Sequence, residues 1–247
     1  FRKKHLTTLL LLLVYRLGCY IPIPGLATDV FSEMVEGTNF LNLMNSVTGG
    51  ALANGTLFAL GIGPYINSSI IVQLLCVGIP ALERLTKQGE EGKKKIAAIT
   101  RWLTLALAIV QAVGVVIAFG STIGADLEND IAAGGISTQV LALFGAKWNE
   151  TFARTMVYIY MIVLYSAGAM LTMWLGERIT EYGVGNGISL IIFLGIISTA
   201  GMTLFIEPIQ QAVAGSFTRG TAISIILFVI IAVVIFALIV TVDLAER

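Results

Sequence analysis

Six long apolar runs alternate along the chain with short polar or charged stretches: Leu6 to Ile21, Leu57 to Ile79, Trp102 to Phe119, Phe152 to Leu175, Ile188 to Ile206 and Ala222 to Val242. Each is close to the ~20 residues that a helix needs to cross the hydrocarbon core of a bilayer. A chain that enters the apolar phase this often must satisfy its backbone groups internally, which helices do within one segment. The pattern predicts an all-α, multi-pass integral membrane helical bundle. Pro22 and Pro24, in IPIPG, mark the exit from the first helix because neither can continue it. In the connection that follows, Asn39 to Ala53 carries spaced Leu, Met and Val residues. It predicts a short amphipathic helix that ends near Gly49 and Gly50 and is too short and too polar to span.

One run departs from the others. Leu57 to Pro80, LFALGIGPYINSSIIVQLLCVGIP, is uncharged yet holds Gly61, Gly63, Pro64, Asn67, Ser68, Ser69 and Gln73. Proline removes a backbone donor and crowds the preceding turn, so a helix here bends or starts afresh near Pro64. Freed backbone groups and amide side chains are tolerated at membrane depth only when buried in protein or facing a water-filled cavity. The run is therefore predicted to line a pathway. On a helix, Ile62, Ile66, Ser69 and Gln73 share one face, and Ile188, Ile192, Gly195 and Thr199 repeat the spacing in the fifth run. Such stripes fit either ordinary packing with small residues at helix contacts or a hydrophobic constriction that gates by dewetting.

Composition agrees with a membrane location, since only 12% of residues are charged against roughly 25% in a soluble domain. Net charge is zero, which argues against a nucleic acid as direct partner and leaves the distribution of charge to carry the information. With the N-terminus inside, the inner cations are Arg2, Lys3, Lys4, Arg84, Lys87, Lys93, Lys94, Lys95, Arg101, Arg178 and Arg247. Lys147, Arg154 and Arg219 lie outside. The positive-inside rule selects this orientation, and six crossings leave both ends cytoplasmic. Arg16 falls near the outer end of the first helix, where its side chain can snorkel to the interface. The opening residues imitate a secretory signal, with Leu17, Gly18 and Cys19 where a lipoprotein cut would lie. Arg16 interrupts that pattern and the chain keeps re-entering the membrane, so the stretch reads as a first transmembrane helix.

No residue set predicts catalysis, a cofactor or a metal. Ser189 lacks the following glycine and the membrane-embedded histidine of an intramembrane serine protease. Gly183, Gly185 and Gly187 do not make a phosphate loop. Cys19 and Cys76 lie in apolar runs, and His5 sits among basic interfacial residues, so no ligand cluster forms. Glu207 and Asp243 sit at span ends, where they are solvated, and no carboxylate is placed inside a span to relay protons. Two inner loops stand out. Glu83 to Arg101 reads as an exposed basic hairpin, either a membrane anchor or a docking surface. Gly176 to Gly187 sets Glu177 and Glu181 one helical turn apart and packs glycines around Asn186, which calls for unusual backbone angles or close packing.

Four strings carry a resemblance: RLGCYIPIPG (Arg16 to Gly25), GGALANGTLFALGIGPYINSSIIVQLL (Gly49 to Leu75), KQGEEGKKKIAAITR (Lys87 to Arg101) and WLGERITEYGVGNGISLIIFLGI (Trp174 to Ile196). In these, and in their order, the chain resembles the SecY family, the channel subunit of the bacterial Sec protein translocase. That family has ten spans in two inverted five-span halves. The resemblance implies that residues 1–206 form the first half, that residues 207–247 begin the second with span six, and that the sequence is a portion of a longer protein. It implies a hydrophobic pore ring that includes Ile62, Ile66, Ile188 and Ile192. It implies a plug made of Asn42, Leu43, Met44, Asn45, Ser46, Val47, Thr48, Gly49, Gly50, Ala51, Leu52 and Ala53. Ser69, Gln73 and Gln111 match positions at a lateral gate, and Lys87, Lys93, Lys94, Lys95 and Arg101 a cytoplasmic partner surface. The implied partners are SecE, SecG, the SecA ATPase or the ribosome, signal sequences, unfolded preproteins and membrane lipid, in a bacterial plasma membrane. Spans three, four and six and the loop Ser121 to Glu150 match less specifically.

The function implied is a channel, not an enzyme, that passes unfolded secretory chains and releases apolar segments into lipid. Two other classes fit the pattern of residues alone. A secondary transporter built from inverted repeats would need ligands around Pro64 and Asn186. A membrane scaffold or insertase would hold client helices without a pore.

Overall fold

A computed structural model describes residues 2–23, 32, 35, 37, 39–118, 150–202, 206, 208–209 and 219–245. The expected outer loop Ser121 to Glu150, apart from Glu150, lies outside the described residues, as do Lys147 and Glu207. Among the described residues, eight helices follow in order: α1 (Arg2–Gly18), α2 (Asn39–Thr48), α3 (Gly63–Gly78), α4 (Pro80–Thr86), α5 (Glu90–Ala118), α6 (Glu150–Tyr182), α7 (Gly187–Gly201) and α8 (Arg219–Ala245). Among the described residues the only strand-like pairing is an isolated bridge between Pro22 and Thr56.

Among the described residues, two helices are long and apolar enough to cross a membrane, Glu90–Ile117 and Thr155–Tyr182. A third crossing is made if α3 and α4, bent by 105° at their junction, count as one broken span. Pro80 causes the bend, because proline forces the residue before it out of the helical region, and Ile79 is extended at φ −110, ψ 113. The expected basic hairpin is helical on both sides of its turn. Glu90 and Glu91 favour the positive end of α5, and long charged side chains continue a helix well, so α5 begins far ahead of Trp102. The same reasoning extends α6 past Leu175 through Glu177 and Glu181. Hydropathy marks where the membrane lies rather than where a helix stops. The turn at 87–89 uses Gly89 in the left-handed region at φ 71.

Residues 1–196 form one compact unit and residues 197–247 a second. In the first, α5 packs on both α3 and α6, and α1 packs on α6. Its interior is two apolar clusters. One gathers Ile23, Val35, Leu52, Ala59, Ala112, Val116, Val157, Met161 and Tyr165. The other gathers Tyr15, Cys19, Ala51, Phe58, Ile62, Leu175, Ile179 and Ile191. Residues 49–62 run between α2 and α3 as a succession of turns and contribute to both. Gly168 on α6 lets this segment come close, since a Cβ there would collide with the carbonyl of Leu57. Ser68 and Thr104, both fully buried, share a hydrogen bond between α3 and α5. In the second unit, Ile226, Leu227, Phe228, Ile230, Val233 and Phe236 on α8 are all exposed, so this helix is apolar all round.

At the charged end of the first unit, Arg101 on α5 forks onto Glu177 on α6, with Nε to Oε1 at 3.0 Å and Nη2 to Oε2 at 2.9 Å. Arg178 donates to Glu181 at 2.8 Å and lies over the rings of Trp174 and Tyr182. The Arg101 fork joins two helices, although its side chains remain partly exposed to solvent.

Two glycines give opposite expectations. Gly168→Ala should lose about 1–3 kcal/mol in reversible unfolding in mixed detergent micelles, because the methyl meets backbone. Gly114→Ala, where a Cβ meets nothing, should gain about 0.5–1 kcal/mol from helix propensity. Equal effects would overturn the packing assignment. A double-mutant cycle on Arg101→Ala and Glu177→Ala should give a coupling of about 0.5–1 kcal/mol, the range of a partly exposed pair.

Candidate pore-lining site

The site begins where α3 begins. Gly61 takes a left-handed turn at φ 55, Ile62 caps the helix at φ −94, ψ 0, and Pro64 follows in the first turn, where its missing donor has no intrahelical partner to lose. The carbonyl of Ile62 accepts the N–H groups of Tyr65 and Ile66 at 3.1 Å each. The helix thus starts afresh at the proline, and Ile62 lies just before it rather than on it. Ile62 is buried, Ile66 and Ser69 are half-buried, and Gln73 is exposed and donates to Ser69 Oγ at 3.3 Å. The stripe runs from an apolar interior to a polar surface.

The start of α7 is fixed by the glycine-rich turn. Asn186 caps the helix, its Oδ1 accepting from the N–H of Ile188 at 3.0 Å and of Ser189 at 3.4 Å. Gly185 is left-handed at φ 75. A Cβ on Gly187 would strike the carbonyl of Gly176, and Thr180 Oγ1 accepts the Gly187 N–H at 2.9 Å. Thr8 Oγ1 accepts the Val184 N–H at 3.1 Å and ties the turn to α1. Close approach at Gly183 and Gly187 and a positive φ at Gly185 are the demands the glycines meet. They turn α7 back onto α6, so that Ile188, Ile191 and Ile62 crowd around Gly176. Ile66, Ile188 and Ile192, all half-buried, pack against the cluster that contains Ile62. The four isoleucines singled out in the sequence therefore meet in one apolar cluster, together with Ile191, which the stripe did not include.

The short helix α2 ends against this assembly. Gly49 N–H donates to Ser46 at 3.3 Å and Gly50 N–H to Asn45 at 2.9 Å, with Gly49 left-handed at φ 71, the paired bonds that terminate a helix at glycine. Gly195 on α7 lies against the backbone of Val47 and Gly49, so closely that a Cβ would collide with the Val47 carbonyl. Arg16 Nη1 donates to the Gly49 carbonyl at 2.7 Å and Cys19 Sγ lies 3.9 Å from that of Thr48. Asn42, Leu43 and Met44 are exposed, whereas Thr48 and Gly49 are buried. The remainder of the expected plug, Gly50 to Ala53, is turn rather than helix, and Ala51 and Leu52 are built into the two cores. Arg16 was read only as an interfacial cation, because a bond to a backbone carbonyl leaves no signature in the partner's sequence.

Gln111 is half-buried on α5. Lys87, Lys93, Lys94, Lys95 and Arg101 are exposed. Lys87 pairs with Glu83 at 2.6 Å and Lys93 with Glu90 at 3.2 Å, while Arg101 is held by Glu177. Among the described residues, no group of three His, Cys, Asp or Glu side chains is placed to hold a metal.

Comparison with known proteins is consistent across three levels. A family profile described as SecY matches residues 56–247. Proteins named protein translocase subunit SecY are 36% identical in Buchnera aphidicola subsp. Schizaphis graminum and 39% identical in Streptomyces galbus, each over 100% of this chain and 50% and 53% of theirs. The one from Pseudomonas aeruginosa is 39% identical over 96% of this chain and 48% of its own. The chain spans about half the length of the curated relatives it matches. Two solved structures share the fold, "The structure of a protein conducting channel" and "Sec61 in the Canine ribosome-channel complex from the endoplasmic reticulum". Each has a TM-score of 0.61 at 21% identity, over 96% of this chain and 47% of that one. On the profile match and the sequence relatives together, the chain belongs to the SecY family.

Proposed function

We propose that this chain forms part of a protein-conducting channel, which passes unfolded secretory polypeptides across a membrane and releases apolar segments sideways into lipid. The observation that carries the reading is the convergence of Ile62, Ile66, Ile188 and Ile192 in one cluster, beside a short helix seated on Gly195. Isoleucines in that position exclude water when they touch one another, and they offer no hydrogen bond that would select one passing sequence over another. The short helix closes the path on the outer side of this ring. Ser69, Gln73 and Gln111 form one side of a lateral gate. The reaction class is transport, with the driving force supplied by a partner ATPase or a ribosome.

The same reading assigns six crossings with both ends cytoplasmic in a bacterial plasma membrane, supported by the segregation of Lys and Arg. Lys87, Lys93, Lys94 and Lys95 then face cytoplasmic partners, with SecA or the ribosome the candidates and SecE and SecG as companion subunits. A small-solute transporter is disfavoured by Asn186, whose side-chain oxygen is already occupied in capping α7.

Ile66→Asp and Ile192→Asp, each in the full-length channel, should raise resting ion conductance in reconstituted vesicles. A carboxylate at mid-membrane costs roughly 2.5–3.5 kcal/mol unless water joins it, so the constriction wets. Conductance equal to that of the unsubstituted channel would exclude these residues from the ring. Gly195→Ala should also raise resting leak, because its methyl displaces the end of α2; Gly114→Ala serves as the control that leaves leak unchanged.

A further inference from the structure

We infer that Arg16 is a latch, the side chain that holds α2 in its seated position and releases it when the channel opens. The inference rests on the reading above that α2 closes the path. Arg16 stands near the outer end of α1 as a prepared arm. Its Nη2 donates to the Tyr20 hydroxyl at 2.7 Å and its guanidinium lies 4.7 Å from the centre of the Tyr20 ring. The remaining nitrogen, Nη1, reaches out of the helix to the Gly49 carbonyl at 2.7 Å. That carbonyl sits one residue beyond the end of α2, where the aligned peptide dipoles leave partial negative charge. The last turn of α2 contains no basic residue of its own, so the cation that faces this end is supplied by another helix.

The contact is strong but easily undone. It is charge-assisted and half-buried, which favours it over a neutral hydrogen bond. It breaks without disrupting either helix, because α2 ends in its own bonds from Gly49 and Gly50 and α1 does not depend on where its Arg16 points. When α2 leaves, the guanidinium keeps Tyr20 and can extend to the interface, as long basic side chains near helix ends do. Both states are then tolerable, which a switch requires.

The test uses the full-length channel with spin labels at Leu17→Cys on α1 and Leu43→Cys on α2, both exposed positions, with Cys76→Ala and the buried Cys19 left in place. Distance distributions are measured in vesicles, alongside resting ion leak. Arg16→Gln should raise the ratio of displaced to seated α2 by about tenfold, in line with loss of a charged hydrogen bond. Arg16→Lys, which keeps the charge, should stay closer to the unsubstituted protein. An unchanged distribution in Arg16→Gln overturns the latch. Equal displacement in Arg16→Lys and Arg16→Gln also overturns it, by assigning the effect to packing. Displacement with unchanged leak leaves the latch standing and removes the closing role of α2.

Discussion

Non-helical backbone inside a helical unit is the constraint on which the rest of this structure depends. Between α2 and α3 the chain abandons the helix for 49–62, and an apolar interior offers no water to the groups this frees. The segment answers with short-range bonds. Asn54 N–H reaches Gly50, Gly55 reaches Leu52, Thr56 reaches Ala51, Ala59 reaches Thr56 and Gly61 reaches Phe58. The Asn45 side chain accepts from Ala53, and the Thr56 hydroxyl donates to Ala51. Two further bonds tie it to the exit of the first helix, from Ile23 N–H to Gly55 and from Leu57 N–H to Ile21. Once its polar groups are turned inward on one another, the segment can expose apolar side chains on both flanks. Phe58 stacks on Tyr15, with ring centres 5.4 Å apart, while Leu52 and Ala59 enter the other cluster.

Different physical forces then hold different levels of the first unit. Toward the cytoplasmic side of our assignment, the Arg101–Glu177 ion pair joins α5 to α6 and a hydroxyl joins α1 to the glycine turn. Around the isoleucines the contact is shape, with Ile62, Ile188 and Ile191 crowded over Gly176, and further along α3 the buried Ser68–Thr104 hydrogen bond joins it to α5. At the opposite end a single cation meets a helix terminus. On the proposed function, the isoleucines part without leaving polar groups unsatisfied, while the Arg101–Glu177 pair keeps α5 and α6 together.

Much of this was legible in the sequence because proline and glycine act locally. Pro64 called for a bend or a fresh start, and the spacing of Leu, Met and Val over Asn39 to Ala53 for a short amphipathic helix ending near Gly49 and Gly50. The glycines near Asn186 signalled tight packing, and Gly183, Gly185 and Gly187 serve it through a positive φ or a missing Cβ. What escaped was non-local. Helix ends at Glu90 and Tyr182 lie in charged stretches that hydropathy treats as loop. The place of Ile191 beside Ile62 depends on how α7 turns back, and the partner of Arg16 is a main-chain oxygen 33 residues away. Ile62 was placed on a helix that the structure begins one residue later.

The seat of α2 combines main chain and side chain. Arg16 reaches the Gly49 carbonyl, Gly195 lies against the backbone of Val47, and Leu41 packs on one of the two apolar clusters. The first two contacts require only that a helix end there, so substitutions at the exposed Asn42, Leu43 and Met44 leave them in place, whereas Gly49 and Gly195 are confined by geometry.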